Sequence, residues 1–356
     1  MATTGDLAAT TTMSITITTD YNYENYSDYQ TEECDTSSLV ETGAIFIPAF
    51  FSIVVLLSLF GNILVIVILV KYENLKSITN TFILNLAVSD LFFTAGLPFW
   101  AYYHMYGWTL GLYTCKIVSF VFYLGFYSSG FLLILMTAHR YIAVMNPLSD
   151  IVSTKGFYSV VVSVVIWGLS VLVTSPAFFF TKVVEQSHCV FANSTWILWA
   201  IYQQNALFIL SSVVFIFCYS QIICRLLRPT AQRRKSKTLK LIFALVAVFF
   251  LGWAPYNIVI FLKSLYSWHQ SPADSGDVVR SCEITKQLSY AFYITRLFAF
   301  SHCCLNPVFY VFLGVKFNNH LKKLLKSWGH NDNSSIRNRR SRLTITSVTS
   351  GEELSM

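Results

Sequence analysis

Seven runs of apolar residues, near 44–70, 79–104, 112–145, 155–180, 198–226, 238–265 and 286–312, leave this chain few folds to choose from. Each is long enough to cross the roughly 30 Å hydrocarbon core of a bilayer. Lipid offers backbone amides no partner, so each run is expected to be a helix. Charged residues make up 12% of the sequence and hydrophobic ones 54%. A soluble domain carries about a quarter charged residues to cover its surface. The expectation is an all-α integral membrane protein, a bundle of seven helices. Its strut is the third run, where a helix from Cys115 to Tyr141 would rise about 39 Å. Cys115 then lies at one membrane face and Arg140 at the other. No apolar segment with a cleavage site precedes residue 43, so the first run is expected to serve as the insertion signal.

An odd number of spans puts the termini on opposite sides. Residues 225–240 carry Arg225, Arg228, Arg233, Arg234, Lys235, Lys237 and Lys240 with no acid among them. Positive loops stay inside, so the N-terminus is expected outside. Residues 1–43 hold eight acids and no Lys or Arg, and such a segment buries too little to order itself. Within it Tyr21, Tyr23, Tyr26 and Tyr29 alternate with Asp20, Glu24 and Asp28. This is either a solubilising tail or an anionic, aromatic docking strip for a basic partner, with tyrosines open to sulfation. Asn25 and Asn193 each begin a glycosylation sequon. The domain plan is thus an acidic disordered tail (1–43), the bundle (44–312), an amphipathic membrane-surface helix (313–328) and a disordered tail (329–356). In the third segment Phe317, Leu321, Leu324, Leu325 and Trp328 alternate with Lys316, Lys322, Lys323 and Lys326 at helical spacing. That pattern suits an anionic leaflet.

Polar residues inside spans are costly and therefore informative. Asn62, Asp90, Ser129 and Asn306 can face one another across the bundle, either as a structural hydrogen-bond network or as a sodium pocket centred on Asp90 and Ser129. Pro98, Pro255 and Pro307 each remove a backbone bond within a span, and Pro176 does so near an end. Trp253 stands beside the Pro255 hinge, as simple packing or as a packing switch. Of eight cysteines, Cys218, Cys224, Cys303 and Cys304 fall in spans. Cys34, Cys115, Cys189 and Cys282 fall at extracellular positions, and three pairings are open to those four. The net charge of +7 follows from the loops and does not suggest nucleic acid. No phosphate loop, metal-spaced cluster or nucleophile–base pair is present, so neither enzyme activity nor a cofactor is expected.

Asn62, Asp90, His139-Arg140-Tyr141, Trp167, Trp253-Ala254-Pro255 and Asn306-Pro307-Val308-Phe309-Tyr310, each in its own span, together resemble the rhodopsin-like G-protein-coupled receptors over roughly 44–328. Ser301–Pro307, Leu97–Trp100, Trp108–Gly111 and the run from His139 to Pro147 are similar to the chemokine receptors among them, whose ligands are small basic proteins. Three departures from most of that family, His139 in place of an acid, Ser211 in place of a proline and Arg296 in place of a glutamate, resemble its XC-type branch, which binds lymphotactin.

The resemblance implies disulfides Cys115–Cys189 and Cys34–Cys282. It also implies a ligand pocket walled by Trp100, Tyr103, Phe122, Tyr256, Lys263 and Tyr293 around Arg296. Coupling to a heterotrimeric G protein would run through His139, Arg140, Tyr141, Trp253, Pro255, Asn306, Pro307 and Tyr310. Receptor kinases and arrestin would act on hydroxyls between Ser334 and Ser355. Arg140 would normally be held by acids, but here the preceding residue is His139 and the matching sixth-span position is Lys235. Arg296 either pairs internally with Glu283 or Asp277, or receives a carboxylate or carbonyl from the ligand's leading residues. Rival readings are a scavenging receptor without coupling, a receptor for a different chemokine, and a transporter or channel, for which the scattered polar residues form no obvious path.

Overall fold

In the computed structural model the described residues are 37–75, 77–146, 155–184, 187–226, 236–269, 278–313, 317–324 and 326. The chain is a helical bundle of α1 (Ser37–Tyr72), α2 (Ile78–Tyr106), α3 (Gly111–Met145), α4 (Lys155–Phe179), α5 (Ser194–Leu226), α6 (Ser236–His269), α7 (Val278–Phe300) and α8 (His302–Leu313). A short α9 follows at 317–324. Among the described residues, six helices are long and apolar enough to cross a membrane. The seventh crossing is made by α7 and α8 in succession. The single seventh run expected at 286–312 is therefore corrected: the helix starts at Val278 and is interrupted at Ser301. Polar residues near its start, including Arg280, Glu283, Lys286 and Gln287, lower its apolar character below that of the other six.

The arrangement follows from which faces find partners. α3 is 67% buried along its most apolar stretch and α4 only 22%. α3 touches α2, α4, α5 and α6, so the third run is the central strut. α2 and α3 approach closely because Gly125 has no side chain. A Cβ there would lie 2.3 Å from Phe93 N and 2.7 Å from Ser89 O, and small residues at such crossings let membrane helices meet. Hydroxyls buried in the bundle mostly return to their own helix. Ser128 donates to Leu124 O at 2.7 Å and Ser211 to Leu207 O at 2.7 Å. Ser211 thus engages the same carbonyl that a proline at that position would strip of its donor.

The connection between α4 and α5 is not irregular. Residues Thr181–Val184 (β1) and His188–Phe191 (β2) form an antiparallel hairpin, with Thr181 opposite Phe191 and Val184 opposite His188. A disulfide joins Cys189 of β2 to Cys115 near the start of α3. Trp108 N also donates to Ser187 O at 2.6 Å. Gly107, at φ 70°, turns the chain out of α2 beside this hairpin, a backbone region that glycine enters without strain. At the opposite end of the bundle α9 packs Phe317 and Leu324 inward and leaves Lys322, Lys323 and Lys326 exposed. His320 Nε2 lies 3.0 Å from Glu73 Oε1, and its ring stacks on Tyr72.

Candidate ligand cavity and its connection to the bundle core

A small cavity of about 50 Å³ opens at the Cys115 end of the bundle, between α2, α3, α5, α6, α7 and the hairpin. Its wall includes Trp100, Phe122, Tyr256 and Arg296, four of the expected pocket residues, together with Gln204 and Trp253. Tyr103 and Tyr293 lie beside the cavity rather than in its wall. Tyr103 is buried in a second cluster with Trp108 and the disulfide, and its hydroxyl meets His188 Nδ1 at 3.3 Å. Tyr293 faces His104. Lys263 Nζ stands 4.8 Å from the centre of the Phe292 ring.

Arg296 is only 3% exposed. Its Nη2 contacts Nε2 of His104 in the last turn of α2. A guanidinium has no acceptor, so this nitrogen of the imidazole must accept. Three rings, of Phe292, Tyr293 and Phe300, stand 5.4, 5.6 and 5.8 Å from the guanidinium carbon, within the range of cation–π attraction. The internal carboxylates expected for Arg296 were Glu283 and Asp277. Glu283 accepts from Gln287 Nε2 at 2.9 Å, and Asp277 lies outside the described residues. His104 was missed in sequence, although a histidine one turn from a span's end and facing an apolar bundle is a usable signal.

Below the cavity Trp253, 2% exposed, links the wall to the polar core. Its ring lies 5.7 Å from Tyr256, 6.1 Å from Phe300, 4.5 Å from Phe126 and 5.2 Å from His302. Next comes fully buried Asp90. Ser129 Oγ donates to its Oδ1 at 3.2 Å, Asn306 Nδ2 donates to its Oδ2 at 2.7 Å, and His302 Nε2 is 3.9 Å away. His302 was not singled out in sequence. The carboxylate and hydroxyl oxygens are hard donors of the kind that suit a small cation.

Asn62 belongs to a neighbouring set rather than to Asp90. Its Nδ2 donates to Ser58 O and to Cys303 O, each at 3.0 Å. Proline has no amide hydrogen, so Pro307 leaves the carbonyl four residues earlier, Cys303 O, without its helical donor. Asn62 and Ser58 supply donors to it. A helix break is thereby satisfied by a neighbouring helix.

At the far end of α3, Arg140 Nη2 donates to Thr79 Oγ1 at 2.7 Å. His139 meets the edge of Phe82, and Tyr141 packs on Phe217. Thr79 was not foreseen, and Lys235 lies outside the described residues. Pro255 and Pro307 fall inside α6 and α8. Of Tyr310 only its place in α8 is described. Asn193 caps the start of α5, its Oδ1 accepting from Trp196 N at 3.2 Å. Cys282 is disulfide-bonded; its expected partner Cys34, with Tyr21, Tyr23, Asn25, Tyr26 and Tyr29, lies outside the described residues. Cys218, Cys303 and Cys304 are free and buried, whereas Cys224 is free and exposed.

The sequence of residues 61–310 matches the family described as 7 transmembrane receptor (rhodopsin family). Chemokine XC receptor 1 of Homo sapiens is 43% identical over 303 residues, 85% of this chain and 88% of that receptor. The receptor of the same name from Mus musculus is 42% identical over 299 residues, 82% of this chain and 87% of its own length. C-C chemokine receptor type 4 of Homo sapiens is 35% identical over 315 residues, 86% of this chain and 85% of that receptor. With its helices, hairpin disulfide and polar core in place, the chain belongs to the rhodopsin family of seven-transmembrane receptors, and within it to the chemokine receptors.

Proposed function

We propose that this receptor binds a lymphotactin-type chemokine at the plasma membrane, with its N-terminus outside the cell. In this reading it activates a heterotrimeric G protein of the Gi type and drives leukocyte chemotaxis. The observation that carries the reading is Arg296, a buried cation seated among aromatic rings at the wall of an open cavity. The printed name of the XC relatives supports the ligand type. Binding uses two surfaces. The acidic tail around Tyr21–Tyr29 docks the basic body of the ligand, and the cavity takes its leading residues. There Arg296 receives a carboxylate or a backbone carbonyl.

Occupancy shifts the rings around Arg296, and Trp253 carries the displacement toward His302, Asp90 and the Pro255 and Pro307 hinges. The sixth helix then swings, and the Arg140 end opens to the C-terminal helix of the Gα subunit. A sodium ion, when bound, would add positive charge at Asp90 and Ser129 and favour the resting arrangement. In the active cell α9 lies on the anionic inner leaflet, while kinases and arrestin act on the hydroxyls of the C-terminal tail.

The test is ligand-stimulated nucleotide exchange on purified Gi, with Arg296→Glu beside wild type. Activation should be lost in the variant at normal surface level, while tail-mediated binding stays within a few-fold of wild type. An Arg296→Glu receptor that signals with normal potency refutes the role of Arg296. A wild-type receptor that binds and internalises the chemokine without exchange would instead be a scavenger.

A further inference from the structure

At the Arg140 end of the bundle a line of polar contacts runs from α9 to α3. His320 of α9 and Glu73, the residue directly after α1, are 247 positions apart in sequence, and His320 Nε2 lies 3.0 Å from Glu73 Oε1. An ionised carboxylate can only accept, so this nitrogen of the imidazole carries the proton. The two side chains are 19% and 18% exposed, which shelters the contact from water. The His320 ring also stacks on Tyr72, the last residue of α1, at 5.4 Å and 9°. The second carboxylate oxygen, Glu73 Oε2, accepts from Asn80 Nδ2 at 3.1 Å. Asn80 stands in the first turn of α2, directly after Thr79, whose hydroxyl accepts from Arg140 Nη2 at 2.7 Å.

Each joint of this line has a physical consequence. Hydrogen bonds to a charged group are stronger than neutral ones, so Glu73 is the firm joint between α9 and α2. Asn80 Nδ2 also reaches Asn74 O at 3.2 Å, and Thr81 Oγ1 donates to Leu75 O at 2.7 Å. Residues just after α1 are thereby strapped to the first turn of α2, and a displacement of Glu73 is passed to Asn80 and its neighbour Thr79. Energetic coupling travels through contiguous contacts of this kind. The contact between Thr79 and Arg140 feels such a displacement, because hydrogen bonds weaken steeply with misalignment.

We propose that Glu73 and His320 are positioning residues for Arg140. Docked α9 holds Glu73, Glu73 aims Asn80 and the first turn of α2, and that turn sets where Thr79 meets the guanidinium. The surface helix is then a lever on coupling. The inference rests on the proposed role of Arg140 at Gα and adds two residues to it. In the proposed cycle the Arg140 end opens, and a guanidinium engaged by Thr79 must give that contact up. Severing the line shifts Thr79 and lowers the cost of that step, so nucleotide exchange without ligand rises.

The experiment uses full-length receptor in lipid nanodiscs with purified Gi. His320→Phe keeps a ring against Tyr72 and removes the N–H, Glu73→Ala removes the carboxylate, and Asn80→Ala removes the link to α2. Each should raise ligand-free exchange by about two-fold or more at equal receptor level, and two together should do no more than one. His320→Gln, which restores a donor, should return exchange toward wild type. In a Thr79→Val background the three changes should have no effect, an outcome that a general loss of stability does not give. Any one of the three that folds suffices for the test. Wild-type exchange in the variants that fold overturns the proposal, as do effects that multiply in pairs or persist beside Thr79→Val. The side-chain nitrogen resonances of Arg140, in receptor carrying isotope-labelled arginine, are read without G protein. They should move in His320→Phe and stay fixed when Thr79→Val is already present. Unmoved resonances in His320→Phe overturn the positioning role. Moved resonances in a receptor that never activates Gi would sink the proposed coupling and leave the positioning role standing.

Discussion

Arg140 ends α3 with a histidine before it and a tyrosine after it, and its Nη2 donates to the hydroxyl of Thr79. A neutral acceptor holds a guanidinium less firmly than a carboxylate does. In the proposed cycle this end of the bundle must open, and a histidine rather than an acid directly before Arg140 predicts appreciable exchange without ligand. Replacing His139 by aspartate sets an anion beside Arg140. A partly exposed ion pair contributes under about 1 kcal/mol, enough to lower ligand-free exchange by roughly two- to five-fold at equal surface level. Exchange that is unchanged or higher in His139→Asp would refute the argument. Sequence shows that an acid is missing next to Arg140, because that is a statement about one position. It does not show that Thr79, on another helix, accepts a hydrogen bond from Arg140. Likewise His104 and Arg296 are 192 residues apart, and their meeting depends on how α2 and α7 are rotated, which no local pattern records.

At the scale of elements, the seam between α1 and α8 explains how a membrane helix tolerates a proline. The amide missing at Pro307 is replaced from α1 by Asn62 and Ser58. Asn62→Leu removes one of these donors and leaves Cys303 O short of a partner in an apolar setting. An unsatisfied buried group costs about 1–3 kcal/mol, so the melting midpoint in nanodiscs should fall by several degrees. A midpoint equal to wild type would show that Ser58 alone satisfies the seam. The seven crossings are legible as apolar runs because length and lack of charge suffice for them. The interruption at Ser301 is not, since Cys303, Cys304 and Leu305 continue the apolar run straight through it. Helices apolar on most faces also carry little periodic signal of which side turns inward. That is why Ser129 and Asn306 could be placed near Asp90 by residue type, but His302 beside them was not anticipated. The hairpin was hidden for another reason: its strands are four residues each and owe their order to a disulfide with a distant helix.

Over the whole molecule, charge is divided by position. All eight acids of residues 1–43 stand without a basic neighbour in that segment, while the stretch between the fifth and sixth spans is basic throughout. If the first of these is the proposed docking strip, affinity for a basic chemokine should fall steeply as ionic strength rises past about 0.1 M, where the screening length is about 10 Å. Replacing Tyr21, Tyr23, Tyr26 and Tyr29 by phenylalanine keeps the rings and removes any sulfate. In cells competent for sulfation that variant should bind several-fold more weakly. Unchanged affinity would exclude sulfation, and unchanged affinity after the acids are also neutralised would exclude the strip.

The hairpin between α4 and α5 has a kinetic consequence. Its strands pair with each other, a covalent bond fixes β2 to the start of α3, and Ser187 holds the backbone of Trp108. The hairpin's share of the cavity wall is therefore set before any ligand arrives, and the entropy of ordering it is spent during folding and oxidation rather than at encounter. An incoming chemokine has no hairpin to displace or to fold. Arrival then becomes a matter of steering and collision, and differences in affinity among ligands reside in how long each one stays.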